Sequence, residues 1–181
     1  NKKKNYNIKA LVTAGPTYEP IDPVRFIGNR SSGKQGIAIA NQLDDLGLRV
    51  TLVTGPTHQK ISNNINTIRV NTATEMLSAC RDSLPVDVAV CAAAVSDWTI
   101  MSPSETKIKK YNNQKPKIDL TLTPDILDNI SNAGNQRPKL VVGFAAETNN
   151  LISNAKKKLV QKNCDWIIAN NVLDNPDVFG G

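Results

Sequence analysis

The sequence predicts an α/β fold in three layers, with a mostly parallel central sheet between helices. Two observations support this class. Short apolar runs alternate along the chain with longer segments whose apolar residues recur at helical spacing, which is typical of β-α-β units. The run at 86–95 is apolar almost without interruption, as expected for a strand buried on both faces of a parallel sheet. Together these patterns predict a Rossmann-like architecture.

The individual elements follow from their periodicity and end signals. Strands are predicted at 9–13, 49–54, 68–70, 86–95, 139–146 and 165–170, with a weakly alternating antiparallel strand at 118–122. Helices are predicted at 32–46, 74–81, from 123 onward and at 150–163. Gly47 suits the position after the first helix, and Thr72 or Thr74 caps the second. Thr123 is predicted to cap the third helix, with Pro124 at its first position.

Length and charge restrict the class of function. The 181 residues are predicted to form one domain with a proper core, and the polar, lysine-rich stretch 101–117 is predicted to be a mobile lid. The formal net charge is +6, but the lysines are dispersed and only 4% of residues are aromatic. Because no RNA-binding signature accompanies that charge, nucleic acid is not expected as a partner.

Cysteine usage and hydropathy restrict it further. No apolar run is long enough to span a bilayer and no secretory signal is visible, so no membrane association is expected. Three cysteines without metal-like spacing and a single histidine disfavour a zinc site or a Cys–His nucleophile. We expect three reduced, buried thiols in a cytoplasmic protein, and the residues leave any metal ligands undetermined.

The loop at 14–36, between the first strand and the first helix, is predicted to bind an anion. Unpaired backbone N–H groups and the positive end of a helix dipole meet where this loop ends. Ser31, Ser32 and Gly33 can add hydroxyl and amide donors, and Lys34 adds a positive charge. Connections in α/β units are usually roughly 2–6 residues long, and longer ones tend to be functional. The alternative is an ordinary connection with a serine N-cap.

Polar residues follow several predicted strands and should meet at one edge of a parallel sheet. These residues lie in the loop after the first strand, at Asp97, in 144–148 and at Asn170–Asn171. A dinucleotide-binding oxidoreductase is one interpretation, but the first loop lacks G-x-G-x-x-G and the second strand ends without the acid of an NAD site. An NADP-dependent reductase and a non-catalytic nucleotide-binding module stay open as alternatives.

A set of short motifs occurs in a fixed order from residue 10 to residue 181. They are 14–17 (AGPT), 22–27 (DPVRFI), Asn29 with 31–34 (SSGK), 93–97 (AAVSD), 107–110 (KIKK), 123–126 (TPDI), 143–148 (GFAAET), the Lys158/Lys162 pair and 165–170. Each is weak alone, but the ordered set resembles the phosphopantothenate–cysteine ligases (CoaB), the synthetase half of bifunctional bacterial coenzyme A biosynthesis proteins. Arg30, where the family commonly has His, and Gly28, where it commonly has a polar residue, depart from the pattern.

The resemblance implies a CTP-dependent ligase. The carboxylate of 4′-phosphopantothenate would attack the α-phosphate of CTP, giving an acyl-cytidylate and pyrophosphate, and the amine of L-cysteine would then displace CMP. No protein nucleophile is needed, which agrees with the single histidine. The resemblance also implies Mg²⁺ arriving with CTP, no flavin in this chain, and a homodimer in which a segment of each protomer extends over its partner. It further implies a truncated C-terminal region and a parent protein that is fused to a flavin-dependent decarboxylase domain in bifunctional members.

The roles carried over by the resemblance fall on eleven residues. Asn29, at the acyl-cytidylate carbonyl, and Lys107, at the triphosphate, are the predicted catalytic residues. Substrate contacts are predicted for Arg25, Asn29 and Ala94. Nucleotide contacts are predicted for Asp97 at the ribose, Phe144 near the cytosine, Lys158 and Lys162 at phosphates, and Ser31, Ser32 and Gly33 as a phosphate cradle.

Each of these residues also has a purely structural interpretation. Asn29 could hold a left-handed turn and Asp97 could cap a helix. Phe144 could be a core residue, Arg25 a solvated cation, and the two lysines part of a solvated helix face.

Overall fold

The computed structural model describes residues 7–109 and 116–171. Among these residues the strands are β1 (Lys9–Ala14), β2 (Tyr18–Pro20), β3 (Phe26–Gly28), β4 (Arg49–Thr54), β5 (Asn66–Arg69), β6 (Val88–Cys91), β7 (Trp98–Ile100), β8 (Leu120–Leu122), β9 (Leu140–Glu147) and β10 (Trp166–Asn171). The helices are α1 (Lys34–Asp45), α2 (Ala73–Asp82), α3 (Ile126–Ser131) and α4 (Leu151–Gln161), with a 3-10 turn at Gly134–Gln136.

Six strands form the central sheet in the order β10-β9-β6-β1-β4-β5, and every neighbouring pair is parallel. This is the doubly wound order in which the chain first builds outward from β1 through β4 and β5, then returns to build outward through β6, β9 and β10. The point of reversal lies between β1 and β6. The prediction of a three-layer, Rossmann-like α/β fold is confirmed.

The two helical layers bury different faces of the strands. On one face, Ile37 and Ala40 of α1 pack on Val12 and Leu52. On the other, residues of α2 and α3 pack on alternate residues of the same strands, led by Met76, Cys80 and Ile130. Because the strands are covered on both sides, they carry the near-continuous apolar runs from which they were predicted.

The predicted N-cap of α2 is confirmed, whereas those of α3 and α1 are wrong. The side chain of Thr72 and that of Glu75 form a reciprocal capping box at the start of α2. By contrast, Thr123 does not cap α3, because its hydroxyl donates to the Ser96 carbonyl, and the Asp125 carboxylate instead accepts from the Asp128 N–H at 2.8 Å. The serine N-cap considered for α1 is also wrong, since Gly33 occupies that position.

Two antiparallel ribbons were not recognised from the sequence in full. β2 and β3 form one within the long first loop, and Tyr18 stacks on Phe26 with ring centroids 3.9 Å apart. β7 and β8 form the other and frame the predicted lid. The strand predicted at 86–95 is shorter than expected, because residues 92–95 are only partly buried and line a cavity.

The predicted lid is held to the first loop over the part that the structure describes. The Ser104 N–H donates to the Ile21 carbonyl at 3.0 Å. The Met101 N–H donates to the Asp119 carbonyl at 2.9 Å, which extends the β7–β8 pairing into the lid. Residues 110–115 of this segment, with Lys110, lie outside the described residues, as do 1–6 and the tail 172–181. Its mobility stays a prediction. Within the described ranges, every helix is too short or too polar to cross a bilayer.

Candidate functional site

Two contiguous cavities open at the carboxyl edge of the sheet, where the strand order reverses. The first, the loop cavity, has a volume of about 590 Å³ and is lined by 28–36, 92–95, Asp97, 144–146, Lys158 and Asn170. The second, the lysine cavity, has a volume of about 390 Å³ and is lined by Thr13, Cys91, Ala93, 95–97, 122–127, Phe144, Lys158 and Lys162. They share Ala93, Val95, Asp97, Phe144 and Lys158. A larger cavity of about 660 Å³ lies at the opposite edge and is lined by none of the predicted site residues.

The N-terminus of α1 forms one wall of the loop cavity. Gly33, its N-cap, has φ +74, a left-handed conformation that favours glycine, and supplies no capping side chain. The Ser32 hydroxyl accepts from the Lys34 N–H at 3.4 Å. The hydroxyl of Ser31 accepts from the Gly33 N–H at 3.2 Å. Gly36 lets α1 approach β1 closely, since a Cβ there would lie 2.7 Å from the Ala14 Cβ. The first turn of α1 therefore borders the loop cavity, and the anion site predicted there stays a prediction.

Asn29 directly follows β3 and extends into the loop cavity. Its Nδ2 donates to the Val95 carbonyl at 2.9 Å, which leaves the second amide hydrogen for another acceptor. The left-handed interpretation of Asn29 is wrong, because the non-glycine residues with positive φ in the described ranges are Asn150 and Asn163. The side chain is therefore oriented by the loop after β6.

That loop also places Ala94 and Asp97. The Ala94 N–H donates to the Gly15 carbonyl at 2.9 Å and its own carbonyl accepts from the Thr17 N–H at 3.3 Å, so its backbone joins the first loop to the β6 loop. Asp97 lines both cavities and precedes β7 rather than a helix, so the helix-cap interpretation is wrong. Its carboxylate is exposed at the junction of the two cavities.

Phe144 and the two lysines form the wall that the cavities share. The Lys158 ammonium donates to the Phe144 carbonyl at 2.8 Å, and Phe144 packs on the apolar cluster under α1 while also lining both cavities. The Lys162 ammonium lies 2.7 Å from the Asp125 carboxylate. Both lysines line the lysine cavity, as expected for residues four apart on one helix face, whereas Lys157 is exposed.

Asp125 has a place in the site that the sequence did not suggest. The hydrogen bond that the Lys162 ammonium donates to the Asp125 carboxylate raises the pKa of Lys162, so this lysine stays protonated. Burial alone would raise the pKa of Asp125, but hydrogen bonds from Lys162 and the Asp128 N–H outweigh it and lower that pKa. The bond between Asp125 and Lys162 links residues far apart in the sequence, so local patterns give little signal for it.

Arg25 and Lys107 lie outside the linings of both cavities. The Arg25 guanidinium binds the Asp22 carboxylate and also donates to the Ile108 carbonyl at 2.8 Å. Lys107, the residue before Ile108, is exposed. The two predicted contacts therefore sit together on a neighbouring cluster, while Asn29, Ala94, Asp97, Phe144, Lys158, Lys162 and 31–33 line the cavities.

The three cysteines are free thiols. Cys80 and Cys164 are buried as predicted, whereas Cys91 is partly exposed and lines the lysine cavity. Burial raises the pKa of Cys80 to about 12 and raises that of Cys91 and Cys164 as well, so thiolate chemistry is disfavoured. No group of three or more His, Cys, Asp or Glu side chains suited to a metal occurs within 7–109 and 116–171.

Comparison with known proteins places the chain in a family. The family described as "DNA/pantothenate metabolism flavoprotein C-terminal domain" matches residues 6–181. A "Cysteine/Cysteine sulfinic acid decarboxylase" from an unknown prokaryotic organism is 43% identical over 95% of this chain and 48% of its own length. The "Coenzyme A biosynthesis bifunctional protein CoaBC" of Vibrio cholerae is 42% identical over 91% of this chain and 41% of its own length.

Structural similarity agrees with sequence similarity. A crystal structure of the C-terminal domain of a coenzyme A biosynthesis bifunctional protein CoaBC matches with a TM-score of 0.79 and 38% identity, covering 94% of this chain and 81% of that one. This chain spans less than half the length of the two curated relatives. It belongs to the DNA/pantothenate metabolism flavoprotein C-terminal domain family.

Proposed function

We propose that this chain is a phosphopantothenate–cysteine ligase that uses CTP. One observation carries the proposal: two contiguous cavities at the strand-order reversal gather the glycine-started N-terminus of α1, Asn29, Asp97, Lys158 and Lys162. These groups suit a phosphorylated nucleotide and a developing oxyanion, and they include no activated protein nucleophile. Family membership supports this reaction over the NADP-dependent reductase and over a non-catalytic nucleotide-binding module.

In the first step, a carboxylate oxygen of 4′-phosphopantothenate attacks the α-phosphorus of CTP. The bond to the bridging oxygen of the β-phosphate breaks and pyrophosphate leaves. We propose that Lys158 and Lys162, which line the lysine cavity, neutralise phosphate charge. The first-turn amides of α1, with Ser31 to Gly33, line the loop cavity and are proposed as a second anion site. The chemistry then depends on positioning and charge neutralisation.

In the second step, the amine of cysteine attacks the acyl carbon, loses a proton, and CMP leaves with the C–O bond electrons. Charge develops on the acyl oxygen as the amine adds. The free amide hydrogen of Asn29 can stabilise that oxygen without protonating it. We propose that Asp97 holds the ribose hydroxyls, Phe144 flanks the cytosine and the Ala94 backbone contacts the intermediate, with Arg25 and Lys107 acting from the adjoining loops.

Magnesium is proposed to enter with the triphosphate. Mg²⁺ bound largely by substrate phosphates needs only one or two protein carboxylates. Asp97 and Asp125 both line the lysine cavity and are the described carboxylates placed to contribute.

A coupled assay tests the reaction. Protein incubated with CTP, Mg²⁺, 4′-phosphopantothenate and cysteine is expected to release pyrophosphate and CMP in equal amounts, and omission of cysteine should leave an acyl-cytidylate. No turnover with any nucleotide would refute the ligase. Release of CO₂ from cysteine without CTP would instead favour the activity named for the decarboxylase relative.

Asn29→Asp is the sharpest variant for the second step. The substitution removes the N–H donor, and the new carboxylate repels the developing oxyanion. The variant should therefore consume CTP but accumulate acyl-cytidylate, with amide formation slowed about 100-fold. Asn64→Asp, exposed on the opposite edge of the sheet, is the matched control and should behave like the unaltered protein. An Asn29→Asp protein that forms product at the unaltered rate would remove this role.

We also propose a homodimer. Trp98 pairs with Leu122 and Ile100 with Leu120, so these apolar side chains share one face of the β7–β8 ribbon. Ile100 is buried, but Trp98 and Leu122 are 52% and 76% exposed, so this end of the face offers apolar surface to a second copy of the chain. Sedimentation velocity should give twice the chain mass of 19.7 kDa.

In a longer parent, we propose that a flavin-dependent decarboxylase domain adjoins this chain. Cytoplasmic localisation stays a prediction.

A further inference from the structure

Asp22 is a fully buried carboxylate that binds five donors. Its side chain is 0% exposed, whereas that of its partner Arg25 is 46% exposed. Oδ1 accepts from the backbone N–H groups of Val24 and Arg25, each at 2.9 Å. Oδ2 accepts from the Arg25 guanidinium through Nε and a terminal nitrogen, and from the Ile108 N–H at 3.1 Å. One oxygen thus closes a local turn, and the other reaches a segment more than 80 residues away.

The distant segment is the one that carries Lys107. The Ile108 N–H binds Asp22 and the Ile108 carbonyl accepts from Arg25 at 2.8 Å, so both backbone polar groups of Ile108 are fixed by this pair. Since Ile108 directly follows Lys107, the pair also fixes where the Lys107 backbone lies.

The same pair is connected to the loop cavity through β3. The chain leaves Arg25, forms β3 and reaches Asn29, whose Nδ2 is anchored on the Val95 carbonyl at 2.9 Å. The Asp22 carboxylate is therefore connected in two directions, through Ile108 to Lys107 and through Arg25 and β3 to Asn29.

We propose that Asp22 is a positioning residue that sets the segment bearing Lys107 relative to the hairpin bearing Arg25 and Asn29, so that both predicted catalytic residues reach one reacting centre. This inference rests on the proposed ligase function. Hydrogen bonds from Arg25 hold the pKa of the Asp22 carboxyl far below its usual range against the opposing effect of burial, so Asp22 is charged near neutral pH.

Asp22→Asn is the test, with Glu19→Gln as its matched control. Asparagine can keep an acceptor toward the turn while it turns an NH₂ group toward Arg25 and Ile108, which breaks the link but not the turn. Glu19 is a second buried carboxylate in the same hairpin, 3% exposed, and it accepts from the Ala73 N–H at 2.8 Å without contacting the lid. The control therefore removes one buried charge from the hairpin and leaves the Ile108 contacts intact.

Two readouts are expected to separate the variants. Asp22→Asn should accelerate hydrogen exchange at the Ile108 amide and lower kcat by about 10-fold to 100-fold, while the Kd for CTP rises by a smaller factor, because Lys107 is displaced but Lys158 and Lys162 are untouched. Glu19→Gln should leave both the exchange rate and kcat unchanged. Asp22→Glu, which keeps the charge one methylene farther out, should recover part of the lost kcat. If Asp22→Asn does not fold, Asp22→Glu is compared with Glu19→Gln in its place, by kcat and by exchange at Ile108.

Equal kcat losses in Asp22→Asn and Glu19→Gln, or unaltered exchange at Ile108, would overturn the inference. Failure of the proposed function is distinguishable from this outcome. It would appear as absent turnover in the unaltered protein, whereas the exchange comparison would still report whether Asp22 holds the segment.

Discussion

Replacing Lys158 by methionine tests the shared wall of the two cavities most directly. Methionine has the same unbranched shape but carries no charge, and the Lys158 ammonium contacts the Phe144 carbonyl at 2.8 Å while facing both cavities. A hydrogen bond to a charged group contributes about 1.5–3 kcal/mol. Loss of one such contact to a nucleotide phosphate should therefore raise the Kd for Mg·CTP by about 10-fold to 150-fold.

The stability of the fold should change much less than the affinity. The bond from Lys158 to Phe144 is only partly buried, and its removal also relieves repulsion from Lys162 one helical turn away. We expect the free energy of unfolding to change by less than about 1 kcal/mol. A large loss of CTP affinity with little loss of stability would identify Lys158 as a ligand contact.

Isothermal titration with Mg·CTP at two salt concentrations measures the effect, with Lys157→Met as the matched control. Lys157 is the preceding residue of α4 and is exposed, so its removal lowers the net charge equally and should change Kd by less than about 2-fold. The affinity difference should shrink at high salt because charged contacts are screened. Equal Kd values for Lys158→Met and the unaltered protein would refute the assignment, as would an equal loss in Lys157→Met.

Two further variants test packing and charge. Gly36→Ala would place a Cβ 2.7 Å from the Ala14 Cβ and should lower the free energy of unfolding by about 1–3 kcal/mol in urea titrations, whereas Gln35→Ala, exposed on the same turn, should not. Asp125→Asn keeps the α3 cap but loses the ion pair with Lys162, so the loss of stability near neutral pH should be about 0–1 kcal/mol. Because the pKa of Asp125 is lowered on folding, this difference should persist above about pH 4 and vanish as pH falls through the folded-state pKa; a difference that grows on acidification would contradict it.

The sheet could be predicted because each central strand is a short run of apolar residues that can be recognised without knowledge of its partners. Runs such as 49–54 and 139–146 are buried on both faces, and the observed β4 and β9 match them within a residue. The same reasoning overextended β6, because 92–95 are apolar yet line a cavity. Composition alone does not separate an apolar residue under a helix from one that borders a ligand site.

The helix ends show where local chemistry is ambiguous. Thr123 and Asp125 are both good N-cap residues on either side of Pro124. The Ser96 carbonyl, which belongs to a different loop, engages the Thr123 hydroxyl and leaves Asp125 as the cap. A contact between segments 27 residues apart in the sequence decides between two caps that the sequence makes nearly equivalent.

The predicted site residues divide in the same way, into those placed by strand pairing and those placed by contacts between distant segments. Phe144 and Asn170 lie on strands of the central sheet, so parallel pairing alone brings them to one edge, where the loop after β6 also places Asp97. Arg25 and Lys107 lie in excursions that leave the sheet, and their positions depend on Asp22, a buried carboxylate whose partners are distant in sequence. Topology therefore assembles the nucleotide end of the proposed site, whereas a single charged network sets the placement of the remaining predicted contacts, and substitutions in that network should alter turnover before they alter nucleotide binding.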